Sequence, residues 1–302
     1  MSTARHLLSI LHSTRPSKIL PLYLLVLGAA LLSDTPIDRT ALVMAELVIF
    51  VVTSLGMQLN VLTDRELDRE AKPELAARLT ASPRVLFWVL VCESTLALLL
   101  LLAIGASGRW VSFVALLIGG ALFNLYSYNV LAPRRRAELR LKAFWWGHAL
   151  VGIGGYLALW MAGFSCAAPF PPDRRWLAVA CAASVLDYGT FLVECAQDAA
   201  DERAFGLKTL PALVGRSWTI AVATALVCVG AIGVARGSRG VHGVVGWALL
   251  WLVTVQALAA LAALGTTRGA HHKSRRWEKV VDATFLAARM GFVVILLFHR
   301  HS

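Results

Sequence analysis

Two sets of oxygen-bearing side chains stand at the ends of long apolar runs, where a greasy chain has little reason to place them. Asn60, Asp64 and Asp68 follow one another at intervals of four residues, and Glu194, Asp198 and Glu202 repeat that step with Asp201 beside them. Residues four apart on a helix share one face, one turn above the other, so their oxygens converge. Carboxylate and amide oxygens are hard ligands. They suit Mg²⁺, which takes a few protein oxygens and leaves its other positions to water and substrate phosphate. Two such sets predict a Mg²⁺-bound diphosphate as the ligand.

The elements that must position them are membrane helices. The chain has 302 residues, of which 58% are hydrophobic and 16% charged, a composition outside the soluble range and enough for about nine spans of roughly 20 residues. Apolar runs between charge clusters predict helices near 17–33, 40–59, 84–105, 109–130, 142–163, 176–197, 217–235, 243–265 and 279–298. The first run follows Arg15 and Lys18 but lacks a small-x-small cleavage site before Ser33 and Asp34, so it reads as a retained span. With no soluble insert, low-complexity linker or long loop, residues 1–302 form one all-α, polytopic membrane domain. A long apolar helix pair ending in acids occurs near 40–68 and again near 176–202, which suggests two similar halves facing a central cavity.

Basic residues orient this bundle. Arg65, Arg69, Lys72, Arg78 and Arg84 follow the second span, and Arg134, Arg135, Arg136, Arg140 and Lys142 follow the fourth. Arg203, Lys208 and Arg216 follow the sixth, and Arg268, Lys273, Arg275, Arg276 and Lys279 follow the eighth. By the positive-inside rule these loops are cytoplasmic, which puts both acidic segments on one cytoplasmic rim of the cell (inner) membrane. The net charge of +11 is spread over separate loops beside apolar spans, without a nucleic-acid-binding module. Anionic lipid headgroups and an anionic substrate account for it, and nucleic acid is not an expected partner. Cys92, Cys166, Cys181, Cys195 and Cys228 have no paired spacing, so neither a thiolate metal site nor a disulfide framework is indicated.

A third polar element follows the fourth span: Asn124-Leu-Tyr126-Ser127-Tyr128, then the Arg134–Arg136 run, Arg140 and Lys142. Guanidinium and ammonium groups next to phosphate oxygens would neutralise a leaving diphosphate. For most of these arginines an anchor at the lipid headgroups is the better reading. Lys142 and Lys208 are nearer the expected site.

These segments resemble the signatures of the UbiA superfamily of intramembrane prenyltransferases, which includes terpene cyclases. The matching stretches are Asn60-Val-Leu-Thr-Asp64-Arg65-Glu-Leu-Asp68-Arg69 with Lys72-Pro73, the Leu125-Tyr126-Ser127 segment before a basic loop, and Asp198-Ala-Ala-Asp201-Glu202-Arg203-Ala-Phe-Gly206-Leu-Lys208-Thr209-Leu210-Pro211 ending at Gly215. Arg15-Pro16 is a weaker similarity. The resemblance implies nine helices around a central cavity with a cytoplasmic polar cap, and Mg²⁺ bridging both motifs to an isoprenyl diphosphate. It assigns Asn60, Asp64 and Asp68 to one metal and Asp198 and Glu202 to the other, with Asp201 nearby. Lys142, Lys208 and Tyr126 would contact or orient the diphosphate.

Three departures stand out. Val61 occupies a position that is Asp in many members, and Glu202 ends the second motif where Asp is common. The Lys-Pro-x-Arg-Pro segment is replaced by Lys72-Pro-Glu-Leu-Ala-Ala-Arg78, which bears on acceptor recognition.

The expected chemistry is ionisation: the allylic C–O bond breaks, the diphosphate leaves, and a carbocation remains in an apolar cavity. In a transferase a hydrophobic, for instance aromatic, acceptor captures it. In a cyclase the substrate's own double bond does so. Glu46, Glu93, Asp187, Glu194 and Asp282 lie within spans, where a charge is costly and faces a cavity or a partner. Asp282 and Arg289 either pair across two turns, the favoured reading, or serve other helices. Glu194 is expected to support a metal ligand or orient an acceptor. Asp187 and Glu46 are either deprotonating bases or acids bonded to a neighbouring helix. His148 is expected to be a hydrogen-bonded packing residue. Trp110, Trp176 and Trp247 are expected in an interfacial belt, which is also the default for Trp145 and Trp146, although with Phe144 they could line the prenyl channel. Acids and an Arg within spans also fit a transporter, but that reading expects paired helix breaks and leaves two metal-binding sets unexplained.

Overall fold

The computed structural model describes residues 16–33, 35–63, 83–127, 141, 144–167, 173–204, 206–239, 241, 243–265 and 276–301. Among these, the long helices are α1 (Pro16–Leu31), α2 (Arg39–Thr63), α3 (Pro83–Ala106), α4 (Trp110–Ser127), α5 (Trp145–Ala167) and α6 (Arg174–Cys195). A 3₁₀ turn (Ala196–Asp198) and two short helices, α7 (Ala199–Ala204) and α8 (Leu210–Val214), lead to α9 (Arg216–Gly237), α10 (Val244–Gly265) and α11 (Arg276–His301). Each of the apolar runs read from the sequence coincides with one of the long helices. Seven are long and apolar enough to cross a membrane, and two shorter apolar helices cover Lys18–Leu31 and Trp110–Tyr126. The chain is an all-helical, polytopic integral membrane protein.

Contacts at the helix ends fix which termini lie together. Asp38, just before α2, accepts from the Arg109 guanidinium at 3.0 Å, and Arg109 also donates to the Ser165 carbonyl at 2.7 Å. The starts of α2 and α4 therefore meet the end of α5. At that same end Arg300 of α11 donates to the carbonyls of Ser33 and Thr35, beyond α1. Arg175 of α6 donates to the Gly237 carbonyl of α9 at 3.0 Å. The opposite end then gathers the start of α1, the ends of α2, α4 and α6, and the starts of α5 and α11. The acidic segment after α6 lies there, and α2 as described ends there at Thr63.

Small residues let the helices approach closely, as they do where apolar surface faces lipid and gives no preference for helix contact. A Cβ added at Gly189 of α6 would stand 2.8 Å from the Ala223 carbonyl oxygen of α9, and one at Gly230 2.6 Å from the Leu186 amide nitrogen. One added at Gly163 of α5 would stand 2.4 Å from the Val26 carbonyl oxygen of α1. One buried cluster joins Leu25, Trp160, Ala183, Leu252 and Phe292 across α1, α5, α6, α10 and α11. A second joins Tyr188, Leu192, Ile220, Ala263 and Phe285 nearer the acidic end. Large apolar side chains such as Trp88, Leu99, Ile232 and Phe298 point outward, a surface suited to lipid. Exposed Trp110 and Trp247 lie at one end and Trp145, Trp146 and Trp218 at the other, the arrangement of two interfacial belts. Trp176 is half-buried against Phe164 and Arg175.

Candidate active site

The second acidic segment is held in a compact fold-back at the end of α6. The helix tightens into the 3₁₀ turn carrying Asp198, and α7 then presents Asp201 and Glu202. Gly206, at φ +72°, reverses the chain; its amide donates to the Arg203 carbonyl at 3.1 Å, and the Leu207 amide to the Glu202 carbonyl at 3.0 Å. A left-handed glycine just past a helix end satisfies carbonyls that the helix leaves open. Thr209 then caps α8, its hydroxyl oxygen accepting from the Ala212 amide at 3.2 Å while donating to Glu202 Oε2 at 2.5 Å. Arg203 Nε donates to the Ala212 carbonyl at 2.8 Å, tying α7 to α8.

This fold-back is attached to the start of α5. Lys208 bridges Phe144 through the backbone, its carbonyl accepting from the Trp145 amide at 3.0 Å, and its side chain is exposed. One turn on, His148 is buried, with Nε2 3.6 Å from Cys195 Sγ, three residues before Asp198. Its ring stacks on Phe191 at 5.4 Å and meets Tyr126 of α4 edge-on at 5.4 Å. The packing role expected for His148 is the one observed. Tyr126, Lys208, Asp198, Asp201 and Glu202 are thus brought to one end of the bundle. Asp198 and Asp201 are half-exposed, whereas Glu202 is buried.

Of the first segment, Asp64 and Asp68 lie outside the described residues, as does Lys142, and Asn60 is described only in its backbone. The last turns of α2, which precede Asp64 in the sequence, are tied to α3 by side-chain hydrogen bonds. Ser54 Oγ donates to Glu93 Oε1 of α3 at 2.8 Å, and Gln58 Nε2 donates to Ser54 Oγ and Glu93 Oε1, each at 3.0 Å. Among the described residues no three His, Cys, Asp or Glu side chains form a group able to hold a metal. Hard oxygen donors on a fold-back at the end where α2 also terminates fit Mg²⁺, provided α2 supplies the remaining ligands.

The interior acids have partners that sequence reasoning missed. Lys18 of α1 lies 2.8 Å from Glu194 Oε1 on α6 and 2.6 Å from Asp282 Oδ1 on α11. Arg289 Nη2 lies 3.2 Å from Asp187 Oδ2, and Asp187 Oδ1 accepts from Gln256 at 3.1 Å, whose own oxygen accepts from Thr190 at 2.8 Å. The Arg289 guanidinium also lies over the Phe285 and Tyr156 rings at 4.6 and 5.3 Å. The favoured Asp282–Arg289 pair is therefore corrected, and the alternative, that each serves other helices, is the one observed. Seven residues along one helix separate them by about 10 Å of rise, and each finds a nearer partner on another helix. Lys18, at the start of the first apolar run, carries no signal of these partners in the sequence.

Solved structures share this fold. A UbiA homologue from Archaeoglobus fulgidus bound to GPP and Mg²⁺ superposes with a TM-score of 0.70 at 18% identity, covering 95% of this chain and 99% of that one. A structure of digeranylgeranylglyceryl phosphate synthase in membranes gives 0.66 at 16%, with 97% and 99% covered. The apo UbiA homologue from Aeropyrum pernix K1 gives 0.65 at 17%, with 91% and 96% covered. No curated protein matches the chain in sequence. The model of the UbiA prenyltransferase family matches residues 21–293, nearly the whole chain, and the protein therefore belongs to that family.

Proposed function

We propose that this protein is an intramembrane, Mg²⁺-dependent prenyltransferase that moves an isoprenyl group from its diphosphate to a hydrophobic acceptor through an allylic carbocation. The observation that supports the reading is the fold-back of Asp198, Asp201 and Glu202 at the end of the bundle where α2, as described, ends at Thr63, one residue before Asp64. The Archaeoglobus homologues bound with Mg²⁺ to GPP or to DMAPP are consistent with a diphosphate site in this fold.

Asn60, Asp64 and Asp68 hold metal on one side, and Asp198 and Glu202 on the other with Asp201 close by. Thr209 fixes one oxygen of Glu202, which leaves the more exposed Asp198 and Asp201 to approach the ligand. When bound, Mg²⁺ supplies positive charge that stabilises a departing diphosphate. Lys208 adds cationic charge at the same mouth, Lys142 has the same role by its match to the family pattern, and Tyr126, set against His148, orients the diphosphate. By the positive-inside rule the basic residues after the second, fourth, sixth and eighth spans support a cytoplasmic mouth. The membrane around the bundle supplies the lipophilic substrates.

The alternative is a terpene cyclase on the same scaffold, without an acceptor. Incubating purified protein with Mg²⁺ and isoprenyl diphosphates of several lengths, with and without aromatic acceptors, separates them. Prenylated acceptor formed only when an acceptor is added supports transfer. A cyclic hydrocarbon or alcohol formed without one replaces it with cyclisation.

A further inference from the structure

The start of α5 touches both the end of α4, which carries Tyr126, and the fold-back that carries Asp198 and Lys208. Trp145 donates its amide to the Lys208 carbonyl at 3.0 Å, and the His148 amide donates to the Phe144 carbonyl, also at 3.0 Å. The His148 side chain, on a residue only 3% exposed, packs between α4 and α6. Its ring meets Tyr126 edge-on with centroids 5.4 Å apart, stacks on Phe191 at 5.4 Å and is tilted against Tyr188 at 6.1 Å. Nε2 stands 3.6 Å from Cys195 Sγ, within reach of a sulfur hydrogen bond. Cys195 is the last residue of α6, and the next three, Ala196–Asp198, form the 3₁₀ turn. One turn further along α5, Gly152 has no Cβ to overlap the Tyr188 ring, so α5 and α6 stay close at this level.

A phenyl ring would fill this space without taking polar atoms out of water. A buried imidazole needs a partner for its nitrogens, and one of the partners here is the residue that ends α6. One side chain therefore links Tyr126 to the residue from which the turn carrying Asp198 departs. We propose that His148 is a positioning residue: by its ring contact with Tyr126 and its contact with Cys195 it sets Tyr126 against the second acidic segment, so that the phenol hydroxyl and Asp198 address one diphosphate. It acts through Tyr126 and not on the substrate. Side chains that bind a reacting group need such support to stay within about 0.5 Å of the productive geometry. The inference rests on the proposed diphosphate site and on the role given there to Tyr126.

A double-mutant cycle separates positioning from packing. The probes are unreactive thiolo analogues of geranyl and geranylgeranyl diphosphate, titrated with Mg²⁺ into the detergent-purified full chain. Tyr126→Phe, which keeps the ring and removes the hydroxyl, should weaken binding about tenfold, as for a lost hydrogen bond to a charged group. His148→Leu, which has no polar side-chain atom, should weaken it by a similar factor. The double variant should then bind no more than about threefold more weakly than Tyr126→Phe. His148→Phe should give the same pattern, since it keeps a ring but loses the contact with Cys195, and it serves where the Leu variant fails to fold by its melting temperature. Losses that multiply in the double variant, to about a hundredfold, overturn the assignment, because His148 then acts independently of Tyr126. Unchanged binding in both His148 variants overturns it as well. Wild-type affinity in Tyr126→Phe removes the role of Tyr126, and this inference with it, while the diphosphate site stands. Failure of the wild-type chain to bind either analogue with Mg²⁺ removes the proposed function itself.

Discussion

Arg289 and Asp187 face each other at 3.2 Å in the middle of the bundle, each side chain only 1% exposed. Burying two charges is costly, and a buried pair is tolerated because each partner compensates the other. Removing one leaves an uncompensated charge. Arg289→Leu alone should lower stability by about 3–5 kcal/mol, and the double replacement Arg289→Met with Asp187→Leu should recover most of that loss. Thermal unfolding in detergent measures both. Equal destabilisation by the single and double variants would show that the pair is not what holds α6 to α11.

The fold-back carrying Asp198 depends on a hydroxyl. Thr209→Val removes both the cap of α8 and the donor to Glu202, and loss of such a cap costs about 1 kcal/mol, with a further cost of about 1–3 kcal/mol for a buried acceptor left unpaired. Stability and Mg²⁺-dependent turnover should fall together, and Thr209→Ser should restore both. A Ser variant as impaired as the Val variant would point to the methyl group instead.

α1 packs closely on α5 at Gly163. Gly163→Ala places a Cβ 2.4 Å from the Val26 carbonyl oxygen, a clash that only movement of the backbone relieves. Overpacking of this kind costs about 1–3 kcal/mol. A melting temperature equal to wild type would mean that α1 shifts freely against α5.

Acid should weaken the end of the bundle remote from the acidic segments. Asp38 accepts from the Ala41 amide at 3.1 Å and from Arg109, and these bonds hold its carboxyl below its ordinary pKa. A depressed folded-state value means that the stabilisation is present above the ordinary carboxylate pKa of about 4 and is lost as pH falls through the folded value. Asp38→Asn should therefore be less stable than wild type at neutral pH, and the difference should shrink toward pH 3. A pH-independent difference would assign the effect to shape instead of charge.

The helices were legible because lipid imposes length and apolarity on each span, and those are one-dimensional properties. The acidic segments were legible through their four-residue spacing. Lateral partners were not. Asp282 and Arg289 lie on one helix and invite a local pairing, yet Lys18 and Asp187 reach them from α1 and α6. Lys18 resembles an orienting charge at the start of a span, and nothing in its neighbours along the chain indicates that it meets Glu194 176 positions away. Thr209 had no assigned role either, because its cap and its bond to Glu202 exist only after Gly206 turns the chain.

The central claim is that two acidic segments from α2 and from the end of α6 act as one diphosphate site. The most direct measurement is Mg²⁺-dependent diphosphate release from an isoprenyl diphosphate by wild-type protein, Asp64→Ala and Asp198→Ala, each shown to be folded by its melting temperature. Release should be abolished in either variant while the fold survives. Full turnover in both variants would contradict the account.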